Sequence, residues 1–240
     1  MILFDIATIF PEMFESYFSS SILKLAQEKG CITIRIHNLR QWATDKHHTT
    51  DDEPFGGGAG MVMKIEPMYR AVKELRARQD DAKSFVVLFT PRGDMLTQER
   101  VAAFAAMAGN TTTAEKVAGN VQYILLCGRY EGVDQRVHSH IADYRISVGS
   151  YVLSGGELPA MIFVDAVSRL VPGVLGSDES LKKHLAIGGI PSTTIYPQFT
   201  RPATFVADNG EKWSVPAELL NGNHKEIAEW RKKNAFAIGH

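Results

Sequence analysis

The sequence predicts an α/β fold, in which a parallel sheet is flanked by helices. Apolar runs typical of strands alternate with amphipathic runs typical of helices from residue 1 to residue 171. Several of the strand runs are apolar at every position, as strands are when helices cover both faces of a sheet. A glycine-rich and proline-rich stretch follows, and the remaining chain predicts a small, mainly helical unit.

The first elements can be assigned in order along the chain. "MILFDIATIF" predicts a strand buried on both faces, and Pro11–Gly30 predicts one helix with its proline in the first turn and its glycine as the stop signal. "CITIRIHNL" alternates apolar and polar residues and predicts the second strand. Residues 41–60 are polar and glycine-rich, which predicts a long loop.

The later elements continue the same alternation. Tyr151–Leu153 resembles the end of a strand that runs directly into a double glycine. The full set of later predictions is a helix over 66–79, a strand over 84–90, a helix over 96–108, a strand over 121–128, a short helix over 134–141, a strand from 144 that closes the series by 156, and a helix over 158–171.

Composition limits the classes of function. The chain has 240 residues, a net charge of −1 and 45% apolar residues, so a large core is expected and disorder is not. Any binding of nucleic acid must use a local basic patch, because there is no overall positive charge. Cys31 and Cys127 lie in apolar runs and predict buried free thiols. With neither a signal peptide nor a membrane span in sight, a soluble cytoplasmic protein is expected.

Three stretches near predicted strand ends contain glycines: "TPRG" (90–93), "CGRYEG" (127–132) and "SGG" (154–156). Ligands bind at the carboxyl ends of parallel strands, and glycine lets the backbone touch them. Ordinary tight turns are the alternative for any one stretch, but three together favour a shared small-molecule site. The phosphate-binding patterns G-x-G-x-x-G after a strand and G-x-x-x-x-G-K-[ST] are missing, as is the nucleophile elbow G-x-S-x-G. A ligand held mostly by backbone suggests a cofactor with an adenine and a sulfonium instead of a polyphosphate.

The loop 44–61, "TDKHHTTDDEPFGGGAGM", combines acids, histidines and four glycines. A metal site is disfavoured, because the adjacent pairs of histidines and aspartates do not share one face. A flexible linker is the other alternative. A shaped binding loop suits the composition better.

Seven motifs in order identify a family that the chain resembles. They are "TIFPEMF", "DDEPFGGGAGM", "LLCGRYEGVDQRV", "VGSYVLSGGELPAM", "PGVLG", "QFTRP" and "LLNGNHKEIAEWR". The sequence resembles the bacterial tRNA (guanine-37-N1)-methyltransferases, which are SPOUT-class enzymes. The resemblance implies a deep trefoil knot, S-adenosyl-L-methionine as the methyl donor, and an obligate homodimer whose subunits share each active site. It also implies a contribution from Mg²⁺ without a dedicated protein site.

The resemblance implies site residues at matching positions. Gly155 and Gly156 are expected to lie against the methyl donor, where a Cβ would collide with it. The implied cofactor-binding residues are Pro91, Gly128, Tyr130, Glu131, Val148, Gly149, Ser150, Tyr151, Val152, Leu153, Gly155, Gly156 and Pro159. The implied tRNA-binding residues are Asp52, Gly57, Gly58, Arg201, Asn223, His224, Trp230 and Arg231.

The implied catalytic residues are Glu131, Arg169 and His184. Arg169 would stabilise charge on the guanine, and a surface ion pair with Asp165, four residues earlier, is the alternative. The family places a carboxylate base eight residues after "PGVLG", where this chain has His184. Asp178 or Glu179 could take the role instead, or the base is lost.

The resemblance also predicts a domain division and leaves alternatives. A knotted domain over 1–175, a linker over 176–192 and a tRNA-binding domain over 193–240 are expected. The chain departs from the family pattern at Ala59, where proline is usual, at Ser150, where aspartate is common, and in a shorter carboxyl tail. A tRNA-binding or cofactor-binding pseudoenzyme and a SPOUT enzyme with another RNA target are the competing functions. The basic helix end "WRKK" either binds tRNA or is a solvated helix terminus.

Overall fold

The computed structural model describes residues 1–79, 81–107, 120–175 and 194–237. The chain divides into two compact units, Met1–Pro191 and Ser192–His240. No helix in the described ranges has the length and apolar character that a membrane span needs.

A five-stranded parallel sheet forms the centre of the first unit, in the order β2-β1-β6-β5-β7. Its strands are β1 (Ile2–Thr8), β2 (Ile32–Asn38), β5 (Ala82–Met95), β6 (Asn120–Leu126) and β7 (Tyr144–Ser147). All seven residues of β1 are buried, as are the last six of β6. The prediction of a parallel sheet flanked by helices is therefore confirmed.

Helices cover both faces of this sheet. They are α1 (Glu15–Phe18), α2 (Ser21–Glu28), α3 (Ile65–Ala77), α4 (Gln98–Ala106), α5 (Gln135–His140) and α6 (Glu157–Ser168). Successive residues of a strand point to opposite faces, so β6 contributes to two hydrophobic cores. Tyr123 packs on one face against Phe104 and Phe163, with ring centroids 5.7 and 5.6 Å away. Ile124 belongs to the other core, which contains Met68 of α3.

The segment predicted as one helix over 11–30 is broken into three pieces. A 3-10 helix, Pro11–Met13, is followed by the single turn of α1 and then by α2. Ser21 adopts a φ of 50°, in the left-handed region that interrupts a right-handed helix. The stretch "FSSS" explains the break, because serine side chains bond to nearby backbone groups and compete with the helix. One of them, Ser20, donates its hydroxyl to the carbonyl of Ser16 at 2.7 Å.

The predicted loop 41–60 contains some regular structure. A 3-10 helix, Leu39–Trp42, overlaps its start, and β3 (Asp51–Asp52) pairs in antiparallel fashion with β4 (Val62–Met63). Strand β5 is also longer than predicted. It continues past Thr90 to Met95, and its pairing with β7 shifts register between Phe89 and Asp94.

The second unit combines helices with short strands, which the prediction of a mainly helical unit did not include. It has α7 (His224–Lys233) and a 3-10 helix (Ala217–Leu219), but also four short strands in two antiparallel pairs: β8 (Thr194–Ile195) with β11 (Phe236–Ala237), and β9 (Thr204–Val206) with β10 (Lys212–Ser214). The hairpin of β9 and β10 turns at Asn209 and Gly210, where Gly210 has a φ of 84°. Asn-Gly between alternating apolar residues is a strong hairpin signal, and the compositional argument overlooked it.

Candidate active site

One cavity of about 310 Å³ lies where three neighbouring strands, β6, β5 and β7, end or change register. Its wall includes residues of the three glycine-bearing stretches that the sequence singles out. Val62, Phe89, the end of β7 with the segment that follows it, His138 of α5 and Pro159 of α6 also line it. The carboxyl edge of a parallel sheet is where ligands bind in open α/β folds. The structure therefore brings the three stretches together at one site, as the sequence predicts.

Most of the implied cofactor-binding residues lie on this wall. They are Pro91, Gly128, Tyr130, Glu131, Val148, Gly149, Tyr151, Val152, Leu153, Gly155, Gly156 and Pro159. Ser150 is exposed and does not line the cavity. Sequence reasoning missed other wall residues, and of these Arg92, Arg129 and His138 carry charge or can titrate.

The first loop follows β6 and contains a tight turn. The amide of Gly132 donates to the carbonyl of Arg129 at 3.2 Å, and between them Tyr130 has a φ of 60°. A non-glycine residue in this region is uncommon and is held there by its surroundings. A Cβ on Gly128 would lie 2.8 Å from Cγ2 of Val133, so the loop packs closely upon itself. The strained turn projects the Tyr130 side chain, which is half exposed, beside the cavity.

The second loop follows β7, which ends at Ser147. The Ser147 hydroxyl donates to the carbonyl of Gly149 at 3.0 Å, and the Tyr151 hydroxyl donates to the carbonyl of Val148 at 3.3 Å. These bonds turn the chain away from the sheet, so the prediction that Tyr151–Leu153 ends a strand was wrong. Tyr151 and Val152 are 56% and 84% exposed. Their apolar side chains line the cavity instead of packing in a sheet.

The double glycine is required by close packing within the protein itself. A Cβ on Gly156 would lie 2.7 Å from the Cα of Cys127, and one on Gly155 would lie 2.5 Å from Oε2 of Glu157 and would overlap the side chain of Arg129. Atoms of the protein itself thus leave no room for a side chain at either position. The close approach allows the Gly156 amide to donate to the carbonyl of Gly128 at 2.9 Å, which joins the two loops.

Beneath this junction lies a carboxylate that sequence reasoning missed. Glu157 is fully buried, and it accepts hydrogen bonds from Oγ1 of Thr8 at 2.8 Å and from Nε of Arg129 at 2.9 Å. The Arg129 guanidinium also lies 4.6 Å from the centroid of the Phe10 ring. Burial, and then the negative charge of Glu157, raise the pKa of the Cys127 thiol well above its ordinary value, so this cysteine stays protonated. The sequence does contain a signal for this buried acid, because Glu157 is the one charged residue in the otherwise apolar helix start "GELPAM".

His138 of α5 brings an imidazole to the cavity wall, with only 7% of its surface exposed. Burial first, and then the positive charges of Arg92 and Arg145, lower the pKa of His138 below the ordinary histidine value. The neutral ring is thereby favoured at pH 7. A buried neutral imidazole offers one donor and one acceptor to its neighbours.

The loop 44–61 is attached to the rim of the cavity at one end. The Glu131 amide donates to the carbonyl of Met61 at 3.1 Å, and a Cβ on Gly60 would lie 2.6 Å from Cγ of Glu131. Gly57 and Gly58 have φ values of 78° and 131°, and a Cβ on either would meet no described atom closer than 3.9 Å, so they curve the loop into open space. Asp52, implied in tRNA binding, lies near Lys64, with Oδ2 and Nζ 3.7 Å apart. Within the described residues, no three potential metal ligands come together.

Comparison with known proteins agrees with this geometry. The family model described as tRNA (Guanine-1)-methyltransferase TrmD matches residues 2–238. A protein of Geobacter sp. (strain M21) is 50% identical over 230 residues, 96% of this chain and 83% of that protein. One of Dictyoglomus turgidum is 48% identical over 236 residues, 98% of this chain and 86% of that protein. One of Chloroflexus aurantiacus is 44% identical over 229 residues, 95% and 81% of the respective lengths. All three are named tRNA (guanine-N(1)-)-methyltransferase.

The chain belongs to the tRNA (guanine-1)-methyltransferase family. The resemblance drawn from the seven motifs is thereby confirmed.

The catalytic residues that the family resemblance implies do not all lie in the cavity. Glu131 lines it, whereas Arg169 lies on the outer face of α6 with Tyr17, Leu158 and Ile162. The alternative ion pair of Arg169 with Asp165 is not formed between these two described residues. Asp165 Oδ2 accepts a hydrogen bond from the Tyr17 hydroxyl at 2.6 Å. This bond is also the main cause that raises the pKa of Tyr17. His184, Asp178 and Glu179 lie outside the described residues.

The second unit brings together three of the residues that the resemblance implies in tRNA binding. Arg201, Trp230 and Arg231 line one hollow, in which the Trp230 ring lies 6.0 Å from the ring of Phe199. The Arg231 guanidinium lies 5.1 Å from the centroid of the Tyr196 ring. The other two, Asn223 and His224, start α7, where the Asn223 side chain accepts a hydrogen bond from the Lys225 amide at 3.1 Å.

Gly156→Ala tests the stated reason for the double glycine. The new methyl group would press on backbone atoms of Cys127 and Gly128, which cannot move aside as a flexible side chain could. We expect the free energy of unfolding to fall by about 1–3 kcal/mol, as for other overpacked sites. Denaturant titration measures it. Ser154→Ala, an exposed change two residues earlier, should stay within about 0.5 kcal/mol. Equal stability of the two variants would contradict the packing argument.

Proposed function

We propose that this chain transfers a methyl group from S-adenosyl-L-methionine to N1 of guanine 37 in tRNA, next to the anticodon. The observation that carries the proposal is the cavity at the carboxyl edge of β6, β5 and β7, whose wall holds the glycine loops of a family of tRNA (guanine-1)-methyltransferases. The names of the relatives support the same reaction. A tRNA substrate also implies a cytoplasmic site of action.

The cavity suits the proposed methyl donor. A volume of about 310 Å³ is at the lower end for a small-molecule pocket. Its wall combines backbone from the glycine loops with apolar side chains, among them Phe89, Ile146 and Leu153. Backbone amides and carbonyls can read the edge of an adenine, and apolar walls can cover its faces. We propose that the two joined loops belong to a trefoil knot, as in SPOUT enzymes, which would hold them at a fixed spacing.

The reaction needs little chemistry from side chains. S-adenosyl-L-methionine, when bound, supplies a methyl group already activated by the sulfonium. The chain would hold and orient the reactants, which lowers the barrier by proximity. Guanine must leave its stack to enter the cavity. Arg169 would stabilise negative charge that develops on the guanine O6 as N1 loses its proton. Mg²⁺ stays a proposal from the resemblance, and transfer measured with and without EDTA tests it.

A general base must remove the N1 proton, and we propose His184, with Asp178 and Glu179 as the alternatives. The register from "PGVLG" favours His184. A histidine base would give a single-turnover rate that rises with pH through a pKa near 6.5, because its neutral form accepts the proton. A carboxylate base would give a flat profile over the same range. His184→Ala should lower the rate about 10² to 10⁴-fold if the assignment is right.

Methyl transfer to defined tRNA transcripts tests the proposal directly. Purified protein is incubated with tritiated S-adenosyl-L-methionine and transcripts that carry guanine or adenine at position 37. We expect label only in the guanine transcript, recovered as 1-methylguanosine after digestion. Binding of tRNA without transfer would favour a pseudoenzyme, and equal labelling of both transcripts would favour another RNA target.

We propose a homodimer built on the outer face of α6. Leu158 and Ile162 on this face are 51% and 44% exposed, beside a half-exposed Tyr17. A second copy would cover these apolar side chains and bring Arg169 of one subunit toward the site of the other, as the family resemblance implies.

Ile162→Asp should weaken this dimer, because it places a charge in an apolar contact. Sedimentation of the unaltered protein is expected to give twice 26.5 kDa, and the variant to shift toward 26.5 kDa. Leu25→Asp, at a 51% exposed position on α2, is the matched control and should remain dimeric. An unaltered protein that sediments as a monomer at micromolar concentration would refute the dimer.

The basic end of α7 is proposed as the tRNA contact of the second unit. Arg231, Lys232 and Lys233 occupy its last turn, and Arg201 lines the same hollow as Arg231. A solvated helix terminus is the alternative.

The double substitution Arg231→Ala with Lys232→Ala should weaken tRNA binding and flatten its salt dependence, because each phosphate contact releases counterions. Filter binding across a salt series measures the slope. Lys24→Ala with Lys29→Ala, two exposed lysines at α2, is a charge-matched control. A slope that changes no more than in the control would remove α7 from the interface.

A further inference from the structure

Glu157 connects three segments of the first unit that are far apart in the sequence. Its carboxylate accepts one hydrogen bond from Thr8, the last residue of β1, and one from Arg129 in the loop after β6. Glu157 itself is the first residue of α6, directly after the double glycine. Both loops line the cavity of the proposed methyl donor, whereas Glu157 is not part of the cavity wall.

Burying this carboxylate is costly unless hydrogen bonds and nearby positive charge compensate it. Glu157 has no exposed surface, and the Arg129 side chain is only 17% exposed. Glu157 also lies at the amino-terminal end of the twelve-residue helix α6, and the helix dipole stabilises a negative charge there. Replacing a buried ion pair by apolar residues is often neutral or stabilising. Stability alone therefore gives a weak reason for a buried charge at this position.

The ion pair instead determines where the two loops sit. Arg129 runs directly past Gly155, since a Cβ there would overlap its side chain. The ring of Phe10 holds the guanidinium from another side, at 4.6 Å. With Arg129 fixed in this way, the Gly156 amide reaches the carbonyl of Gly128. Movement of Arg129 would thus change the spacing between the two loops.

We infer that Glu157 is a positioning residue for methyl-donor binding, which acts through Arg129 by fixing the spacing of the two cavity loops. The inference rests on the proposed function, because it assigns the loops to S-adenosyl-L-methionine. Glu157 does not line the cavity, so it would act on the donor only through Arg129. Its effect should therefore appear in the affinity for the donor and hardly in the affinity for tRNA.

Glu157→Gln keeps the shape of the side chain and removes its charge. We expect the dissociation constant for S-adenosyl-L-methionine, measured by calorimetry on the full-length protein, to rise about 10-fold to 100-fold, the range for losing a charged hydrogen bond. KM for the donor should rise with it, while kcat at saturating donor and KM for tRNA stay within about 3-fold of the unaltered values. Arg129→Met should have a similar effect, and the double variant should not be additive, because both remove the same interaction.

Glu74→Gln is the matched control. Glu74 also accepts hydrogen bonds from two side chains, Trp42 at 2.7 Å and Arg78, but it is no part of the cavity wall. Its donor affinity should not change. A merely structural role for Glu157 would lower the melting temperature of Glu157→Gln and leave donor affinity unchanged in the folded protein, and that result would overturn the inference. If Glu157→Gln fails to fold, Arg129→Met removes the same ion pair from the other side, and unchanged affinity there has the same meaning.

Hydrogen exchange separates failure of this inference from failure of the proposed function. If the unaltered protein binds no S-adenosyl-L-methionine, the proposed donor is wrong, and the loops can still be examined without ligand. Glu157→Gln should then speed exchange of the Gly156 amide, which donates to Gly128, and leave amides in the middle of β1 unchanged. Exchange of the Gly156 amide at the unaltered rate would overturn the positioning role itself.

Discussion

The buried ion pair of Glu157 with Arg129 is the interaction on which the arrangement around the cavity depends. It lies where the end of β1, the loop after β6 and the start of α6 come together. Because a buried carboxylate must keep its donors, the backbone nearby has to fit around them. Gly155 follows from this requirement, because a side chain there would displace Arg129. Gly156 has a separate reason, because a side chain there would press on the backbone of the preceding loop.

The parallel sheet explains why these loops can meet at all. Strands β6, β5 and β7 are neighbours and run in the same direction, so the segments after β6 and β7 leave the sheet at one edge. The register shift within β5 brings its "TPRG" segment to the same edge. Gly93 permits this shift, because a Cβ there would lie 2.6 Å from the backbone of Arg145 and Ile146 on β7. Apolar packing on both faces holds the sheet, which leaves its carboxyl edge available for binding.

The sequence could predict the features that depend only on residues close together in the chain. Wholly apolar strands indicate a sheet covered on both faces, and glycines near strand ends mark the cavity. The partners of Glu157 could not be found in this way, since Arg129 and Thr8 are 28 and 149 residues away and only the fold brings them together. Tyr151–Leu153 was misread because residues of a cavity wall and of a strand are equally apolar. The Asn209–Gly210 hairpin could have been predicted from its local sequence. It was missed because the prediction for this unit relied on composition.

The residues that form the cavity wall also indicate which departures from the family pattern the site can accept. Ala59 and Ser150 are both exposed, and neither lines the cavity, so a change of side chain at these positions leaves its wall intact. The wall depends on glycines whose Cβ atoms would collide with protein atoms, and there the family motif is kept. The proposed use of His184 as the base would be a different kind of departure, because proton removal depends on one side chain and no backbone arrangement can replace it.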